Sequence, residues 1–295
     1  GQVLNCEKSV DSRPDPKTMR IDITSPEDPR IALYRGVSDP DLLTREGRFV
    51  AEGRLVVRRL LRSSRFEAES VLVTPAALAD MADVLEPAAR RVPVYVAPRE
   101  LFIHVAGFNI HRGCLALGRR PAPAEAASVL PPDDEPALVV VLEALANADN
   151  VGGIFRNAQA FGASAVLLDE TTCDPLYRKA IRTSMGASLA VPFARVGKWP
   201  GGLEVLRQRG FTIVALTPRG EADVWDVVGA RTEDRVTPGR VAVLVGNEGS
   251  GLSQAADSMA DLRVGIPMAP GADSLNAATA AGIALHAFAR YCGLA

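Results

Sequence analysis

The segment VAVLVGNEGSGLS (residues 241–253) joins five apolar residues to a loop with three glycines in six positions. A short, continuous apolar run is typical of a strand that is buried on both faces of a parallel sheet. Glycines directly after such a strand allow positive φ angles and leave backbone amides accessible. Because ligands bind beyond the carboxyl ends of strands in open parallel sheets, the segment predicts a parallel sheet with a binding loop.

Apolar runs of the same kind recur on both sides of this segment. The predicted strands of this half are 137–143, 164–169, 191–196, 211–217, 241–246 and 262–267. Candidate helices lie between them, near 151–162, 175–185, 200–209, 251–258 and 274–291. This alternation predicts an α/β fold, in which helices cover a parallel sheet on both faces.

A smaller α/β sandwich is predicted ahead of this sheet. We divide the chain into a tail (1–30), a first domain (31–120), a linker (121–135) and a second domain (136–295). The linker is rich in proline and alanine and lacks an apolar period, as expected of a spacer. Helices in the first domain are predicted at 50–63 and, after Thr74 as N-cap, at 75–87, with strands at 69–74, 92–97 and 113–118.

The composition is that of a globular protein, with 47% hydrophobic and 23% charged residues among 295. No apolar run approaches the ~20 residues that a membrane-spanning helix needs, and the first residues lack the apolar segment of a signal peptide. The four cysteines form no C-x-x-C pair, and the three histidines add no metal-ligand spacing. We therefore expect a cytoplasmic protein with reduced cysteines and no metal.

The charge is unevenly distributed along a chain whose formal net charge is only −2. Residues 54–65 contain five arginines and no acidic residue, and residues 178–198 contain five basic residues and no acidic residue. Such patches can neutralise RNA phosphates even where the total charge is close to zero. A solvated helix face is the alternative for each patch.

Two polar clusters follow predicted strands. In NADNVGGIFRNAQAFGAS (147–164), Asn150 stands where an N-cap belongs and Arg156 faces away from the apolar stripe. This arrangement favours an anionic ligand near the helix N-terminus, with a plain capped helix as the alternative. The loop at 246–251 matches neither the dinucleotide fingerprint nor a phosphate-binding loop. Its Glu248 could orient an amide, a hydroxyl or an arginine, or belong to an ordinary turn.

A third cluster, IPMAPGADSLNAATAAGIALHAFAR (266–290), ends in an alanine-rich helix. Ser274 is predicted to cap this helix. Asn276 then lies one turn inside it, where asparagine is unfavourable unless its amide has a partner. The small side chains allow a partner helix to approach closely, and an ordinary C-terminal helix is the alternative.

The three clusters, in this order, resemble the motifs of the SpoU (TrmH-like) branch of the knotted SPOUT RNA methyltransferases. The matching positions are Asn150, Gly152 and Arg156; Gly246, Glu248, Gly249, Gly251 and Leu252; and Ile266, Pro267, Met268, Ser274, Leu275 and Asn276. The resemblance covers about residues 136–295. Residues 111–118, HRGCLALG, are similar to the closing strand of the ribosomal-protein-like substrate-binding domain that often precedes this catalytic domain.

The resemblance implies a SPOUT domain with a trefoil knot, S-adenosylmethionine (AdoMet) bound in the knot, and a homodimer packed through it. Cofactor-binding roles are implied for Thr217, Gly246, Gly251, Ile266 and Leu275. Catalytic roles are implied for Asn150, Arg156, Glu248, Ser274 and Asn276. RNA binding is expected of Arg182, which matches a phosphate-binding position of the family, and of Arg58, Arg59, Arg62 and Arg112.

The implied reaction is methyl transfer to a ribose 2′-hydroxyl of rRNA or tRNA. The family assigns the activating role to the arginine that matches Arg156. A guanidinium stays protonated in proteins, so we expect Arg156 to clamp the adjacent phosphate and orient the hydroxyl. Glu248 and Asn150 are expected to hold Arg156 and the ribose.

Other functions are compatible with parts of the pattern. A non-catalytic RNA-binding protein that retains the fold is one alternative, although such a protein would be free to lose the motif residues. A nucleotide-dependent oxidoreductase would need G-x-G-x-x-G after an early strand, which the sequence lacks. A base nitrogen could replace the ribose oxygen as the methyl acceptor, and the Ser274–Asn276 motif favours ribose.

Overall fold

The apolar runs form two β-sheets, one in each half of the chain. The protein is represented by a computed structural model, which describes residues 19–35, 38–106, 113–234 and 239–294. Within these residues the first sheet has five strands and the second has seven. The mixed α/β class predicted from the sequence is confirmed, and the second sheet is its larger, parallel part.

The first sheet has the strand order β1-β4-β3-β5-β2. Its strands are β1 (Arg20–Asp22), β2 (Arg48–Glu52), β3 (Glu67–Val73), β4 (Val94–Val96) and β5 (Cys114–Arg119). Its helices are α1 (Asp39–Thr44), α2 (Arg54–Arg62), α3 (Pro75–Asp80), α4 (Ala82–Ala88) and α5 (Arg99–Ala106). Alternate residues of β3 enter different apolar clusters, with Val71 and Val73 on one face of the sheet and Leu72 on the other. Both faces are therefore covered.

Three predicted boundaries differ in the structure. Strand β1 lies inside the predicted tail and pairs in parallel with β4. The predicted helix 50–63 begins only at Arg54, because the preceding residues pair with β5 and Gly53, at φ 95°, separates the two elements. Inside this helix Leu55 is exposed rather than buried. The predicted linker contains a short helix, α6 (Ala126–Val129).

All six strands predicted in the second half are confirmed, and every strand pairing described in that sheet is parallel. Its order is β10-β12-β9-β11-β6-β7-β8. The strands are β6 (Ala137–Leu142), β7 (Ala165–Leu168), β8 (Phe193–Arg195), β9 (Thr212–Leu216), β10 (Ala222–Asp223), β11 (Arg240–Val245) and β12 (Leu262–Gly265). The helices are α7 (Ala148–Ala160), α8 (Arg178–Thr183), α9 (Glu204–Gln208), α10 (Val224–Asp234), α11 (Gln254–Asp257) and α12 (Ala277–Tyr291).

Helix α10 and strand β10 were not predicted. Helix α10 has the sequence VWDVVGARTED, in which the apolar residues are confined to the first seven positions, so no period extends along the whole helix. Strand β10 pairs with β12 and has only two residues, which carry too little pattern to be found from the sequence.

Strand β6 is apolar throughout because both of its faces are buried. Its residues Leu138 and Val140 enter one core cluster with α7 and α12, and Val139 and Val141 enter another on the opposite face. The chain proceeds from β6 through β7 to β8 on one side and returns to place β11 on the other. The carboxyl ends of β6 and β11 therefore lie side by side where the strand order reverses, which is where α/β sheets bind ligands.

The two halves of the chain are packed against each other. Leu176, Ile181 and Leu189 of the second half share an apolar cluster with α2 and the first sheet. At the same boundary the Arg178 Nε donates a hydrogen bond of 2.9 Å to the Glu52 carboxylate of β2. Among the described residues, no helix is long and apolar enough to cross a membrane.

Candidate active site

The loop after β11 is folded by its own backbone and by one asparagine. Asn247 and Gly251 exchange two backbone hydrogen bonds, and the Asn247 Oδ1 accepts from the backbone N–H of Gly249 and Ser250. Gly251 has φ 71°, a conformation that favours glycine. A Cβ on Gly246 would lie 2.4 Å from the backbone of Gly251 and Leu252, so the loop requires glycine there.

Two contacts tie this loop to the end of β6. The Asn247 Nδ2 donates to the Ala144 carbonyl at 2.8 Å. The Glu143 carboxylate, which is only 6% exposed, accepts hydrogen bonds from the Ser253 N–H, the Ser253 hydroxyl and the Trp199 indole at 2.6–2.8 Å. Glu143 was not among the predicted site residues, although an acid that directly follows a buried apolar strand was a signal for a fixed carboxylate.

Three predicted catalytic residues form one hydrogen-bonded group, which we call the trio (Asn150, Glu248 and Asn276). The Asn150 Nδ2 donates to the Glu248 carboxylate. The Asn276 Nδ2 donates to the Asn150 Oδ1 at 2.8 Å and to the same Glu248 oxygen at 3.1 Å. Asn150 is 4% exposed, whereas Glu248 and Asn276 face solvent. The trio joins the loops after β6, β11 and β12 at one edge of the sheet.

The capping roles differ from the predicted ones. Asn147, and not Asn150, caps α7, and Asn150 lies buried within the first turn. Asn276, and not Ser274, caps α12, and its Oδ1 accepts from the N–H of Ala278 and Thr279. Because the Oδ1 of Asn276 caps the helix, its Nδ2 is directed to the other members of the trio. The helix cap and the trio together give the Asn276 side chain the hydrogen-bond partners that it needs at this position.

A cavity of about 740 Å³ lies beside the trio, over the carboxyl ends of β9 and β11. All five residues predicted to bind the cofactor, together with Glu248 and Ser274, line it; the five are Thr217, Gly246, Gly251, Ile266 and Leu275. Leu216, Leu252 and Met268 add apolar surface to the same wall. The structure thus brings together residues that are up to 58 positions apart in the sequence, from 217 to 275.

The charges around this cavity suit a cationic ligand better than a phosphate. Its lining includes the carboxylates of Glu248, Asp257 and Asp273, against the guanidinium groups of Arg219 and Arg263. Arg263 and Asp257 form an ion pair at 2.8 Å, which leaves Glu248 and Asp273 against Arg219. A lining that combines apolar residues with this small excess of carboxylate is compatible with a ligand of net positive charge.

Arg156 lies apart from the trio. It projects into a groove of about 670 Å³ between α7 and α12, lined also by Asn157, Thr279, Ile283 and His286. Within the described residues Arg156 makes no hydrogen bond or ion pair, so the expectation that Glu248 and Asn150 hold it is not met within one chain. Six residues separate Asn150 from Arg156, which is about 9 Å along a helix and about two thirds of a turn around it.

Glycines allow the helices around the groove to approach closely. A Cβ on Gly152 would lie 1.9 Å from the Thr183 Oγ1, and one on Gly153 would lie 2.8 Å from the Cβ of Ala278. On α12, a Cβ on Gly282 would lie 2.8 Å from the amide of Asn157, which itself donates to the Ala278 carbonyl. The first turn of α7 is therefore packed closely on both of its sides.

Most of the arginines predicted to bind RNA are engaged within the protein. Arg58 donates to both oxygens of Asp83, Arg62 reaches the same carboxylate at 3.5 Å, and Arg59 donates to Gln159 of α7. Arg182 is freer, because its side chain is 46% exposed and lies 3.8 Å from Glu52. Arg112 lies outside the described residues. Among the described residues, no group of His, Cys, Asp and Glu could hold a metal ion.

Comparison with known proteins gives consistent matches. Residues 137–286 match the model of the SpoU rRNA Methylase family. An uncharacterized tRNA/rRNA methyltransferase of Mycobacterium bovis is 41% identical over 271 residues, which cover 90% of each chain. The AdoMet-bound rRNA methyltransferase of Sinorhizobium meliloti superposes with a TM-score of 0.76 at 25% identity, over 92% of this chain and 98% of that chain. An RNA 2′-O ribose methyltransferase gives a TM-score of 0.71 at 27% identity, over 92% and 99% of the two chains.

Proposed function

Since this chain belongs to the SpoU rRNA Methylase family, we propose that it methylates a ribose 2′-hydroxyl of ribosomal RNA in the cytoplasm. The observation that carries this proposal is the trio at the rim of the acidic, glycine-walled cavity. The structural relative named an RNA 2′-O ribose methyltransferase supports ribose as the target. The family description supports rRNA, although the relatives are named for tRNA and rRNA alike.

AdoMet is the methyl donor of the proposed reaction. When bound, it supplies a methyl group on a positively charged sulfonium. Thr217, Gly246, Gly251, Ile266 and Leu275 would hold it, because they combine apolar surface with backbone groups in one cavity of ligand size. The carboxylates of the wall favour a cation over a phosphate-bearing nucleotide. The trefoil knot implied for this region remains part of the proposal.

The trio would position the ribose. Its hydrogen bonds are made within the protein itself, so its polar groups need little reorganisation during the reaction. Glu248 is exposed on one side and can accept a hydrogen bond from a ribose hydroxyl. Ser274, on the same wall, would fix the loop that leads to Asn276. Positioning of this kind makes a large contribution to reactions between two bound partners.

Arg156 would clamp the phosphate beside the target nucleotide and orient its 2′-hydroxyl. Its guanidinium is exposed and has no partner among the described residues, so it can take a phosphate without breaking an internal ion pair. The proton of the hydroxyl would pass to that phosphate or to water, because a guanidinium stays protonated. Arg182, half-exposed on the neighbouring helix α8, would bind a second phosphate.

A homodimer would bring Arg156 to the trio. The groove that holds Arg156 is walled by α7 and α12, and Trp225 at its edge is 47% exposed. A second copy packed on this face would bury Trp225 and Ile283 and present its own Arg156 beside the trio of the first copy. This arrangement would explain why Arg156 and the trio, which were predicted to form one site, do not meet within a single chain.

The reaction is tested with tritiated AdoMet on total bacterial rRNA and tRNA. We expect incorporation into rRNA, recovered after complete digestion as 2′-O-methylated nucleoside, and its loss in Arg156→Ala. Methyl groups on a base would refute the ribose assignment, and incorporation into tRNA alone would refute rRNA. Absence of transfer to both pools by a protein that binds AdoMet and RNA would support the non-catalytic alternative.

The dimer is tested by sedimentation and by complementation. We expect a two-chain species at micromolar concentration. The variants Arg156→Ala and Glu248→Gln should each be inactive alone, and a mixture of the two should recover transfer, because a heterodimer contains one intact site. A sedimenting monomer that retains full activity would refute the two-chain site.

A further inference from the structure

A second cavity of about 670 Å³ lies between the two domains, which we call the interdomain cleft. Its walls are Leu43 and Thr44 of α1, Arg120 and Pro123 after β5, Ala146 after β6, residues 170–174 and Tyr177 after β7, and Arg195 of β8. Like the cofactor cavity, it lies at the carboxyl edge of the seven-stranded sheet, where parallel sheets bind ligands. None of the predicted catalytic or cofactor-binding residues lines it, so the proposed chemistry leaves its role open.

Two guanidinium groups are fixed in the wall of this cleft by buried acceptors. The Asp174 carboxylate, 6% exposed, binds the Arg120 Nη2 at 2.7 Å and lies 3.7 Å from the Arg195 Nη2. Arg195 also donates to the carbonyls of Asp169 and Thr172 at 2.5 Å and 3.0 Å. The side chains of Arg120 and Arg195 nevertheless stay 27% and 35% exposed. They can therefore present a planar face or a remaining N–H to a ligand without rearrangement.

The floor of the cleft is held by hydrogen bonds to Asp169. Burial disfavours the charge of this carboxylate, but hydrogen bonds from Thr171 and Thr172 outweigh that effect and lower its pKa. The hydroxyl of Thr171 is thus committed as a donor, and the hydroxyl of Thr44 likewise donates to the Pro40 carbonyl. Both oxygens retain lone pairs, so towards the cleft they act as acceptors.

The charges of the wall favour a base over a phosphate. The lining contains the guanidinium groups of Arg120 and Arg195 and the carboxylates of Asp174 and Glu170, so it is balanced in charge. Tyr177, partly buried, adds an aromatic ring to the same lining. An aromatic ring with fixed guanidinium groups is the means by which proteins stack unpaired RNA bases. The acceptors Thr44, Thr171 and Glu170 match a base that donates through an amino group.

The cleft is close enough to the reaction to hold the same RNA strand. Ala146 lines the cleft and precedes Asn150 of the trio by four residues. Their Cα atoms therefore lie within about 14 Å, the fully extended length of four residues. One short loop thus separates the cleft from the trio.

We propose that the interdomain cleft binds one unpaired RNA base that carries an exocyclic amino group, close in sequence to the methylated nucleotide. This inference rests on the proposed function for the identity of the polymer. Tyr177 stacks on the base, and Thr44, Thr171 and Glu170 accept from its amino group.

The test measures binding of fluorescein-labelled hexaribonucleotides C6, A6 and U6 to the full chain with S-adenosylhomocysteine present, by fluorescence anisotropy. We expect C6 and A6 to bind at least about fivefold more tightly than U6. Tyr177→Ala should weaken C6 about tenfold, which matches a stacking interaction, and Tyr177→Phe should restore it. Thr44→Trp, at an exposed position, should block the cleft without disturbing the core. Arg90→Gln, an exposed arginine outside the cleft, is the control and should have no effect.

A positional readout accompanies the affinities. A C6 oligomer with one 5-iodocytidine should photo-crosslink to the peptide that contains Tyr177. Equal binding of U6 would overturn the amino-group assignment. Wild-type affinity in both Tyr177→Ala and Thr44→Trp, or no binding of any hexamer, would overturn the cleft as a base site. Because the assay needs no methyl transfer, an inactive protein that passes it would contradict only the proposed reaction.

Discussion

The two ends of helix α7 differ in how their functional residues are held. At the first turn, Asn150 is 4% exposed and bonded to Glu248 and Asn276, which come from two distant loops. Two turns later, Arg156 is exposed in a groove and has no partner among the described residues. Both residues belong to one sequence motif, yet only one is fixed by the fold of a single chain.

The difference separates groups that are hydrogen-bonded in the folded chain from groups that gain a partner only on binding. A buried amide needs hydrogen-bond partners in the folded state, so the first turn is complete in the free protein. An exposed guanidinium is solvated and gains a partner only on binding a phosphate or a second chain. We therefore expect changes at Asn150 to affect both stability and turnover, and changes at Arg156 to affect turnover alone.

The largest effect is expected for Arg156→Ala. The turnover number should fall by about 10² to 10³, as is typical when one charged group that stabilises a transition state is removed. The free energy of unfolding should change by less than about 0.5 kcal/mol, because the side chain is exposed. Single-turnover methyl transfer and urea unfolding measure the two quantities. Near-normal turnover would contradict the proposed role of Arg156 in the reaction.

Asn150→Ala should lower stability as well as turnover, because Asn150 is buried and belongs to the trio that would position the ribose. It leaves the Glu248 carboxylate and the Asn276 amide without their buried partner, which costs about 1–3 kcal/mol of stability. Gln208→Ala, at an exposed position of α9, is the control and should cost less than about 0.5 kcal/mol. In a double-mutant cycle, Asn150 and Glu248 should show a coupling of at least about 0.5 kcal/mol in unfolding. Additive effects would mean that the trio is not an energetic unit.

Glu143→Gln tests whether the Glu143 carboxylate holds the loop at 246–253 in its binding conformation. One of the three donors that face this carboxylate would then meet the amide nitrogen of glutamine. The loop at 246–253 should loosen, and the dissociation constant of AdoMet should rise about tenfold, equivalent to about 1.4 kcal/mol. Turnover at saturating AdoMet should stay within about twofold. Calorimetric titration provides the measurement, with the exposed Glu204→Gln as control; unchanged affinity would contradict the anchor.

The smallest effect is expected in RNA affinity, where Arg182→Ala and Arg58→Ala should differ. Arg182→Ala should weaken RNA binding a few fold and reduce the slope of affinity against salt by about one charge. Arg58 is paired with Asp83, so its replacement by alanine should change RNA affinity by less than about twofold. Filter binding across a salt series compares the two variants. Equal losses would mean that the paired arginines of α2 also reach the RNA.

The strands of the second sheet could be predicted from sequence patterns, whereas the helix caps and Glu143 could not. The apolar runs predicted the six main strands of the second sheet, because a strand buried on both faces must be apolar throughout. The capping residues were misassigned. Ser274 and Asn276 are equally good caps by type, and only the position of Glu248 beside the helix end decides between them. Glu143 was missed because its three donors lie 56 and 110 residues away.

The sequence alone determined the α/β class, the order of the strands along the chain and the motif residues, since these depend on local period and on residue type. The tertiary structure decided which motif residues meet. Asn150, Glu248 and Asn276 are brought together because the carboxyl ends of neighbouring parallel strands share one edge. Arg156 is excluded from them by the rotation of a helix over six residues. The cleft between the domains depends on a packing interface, which no local pattern encodes.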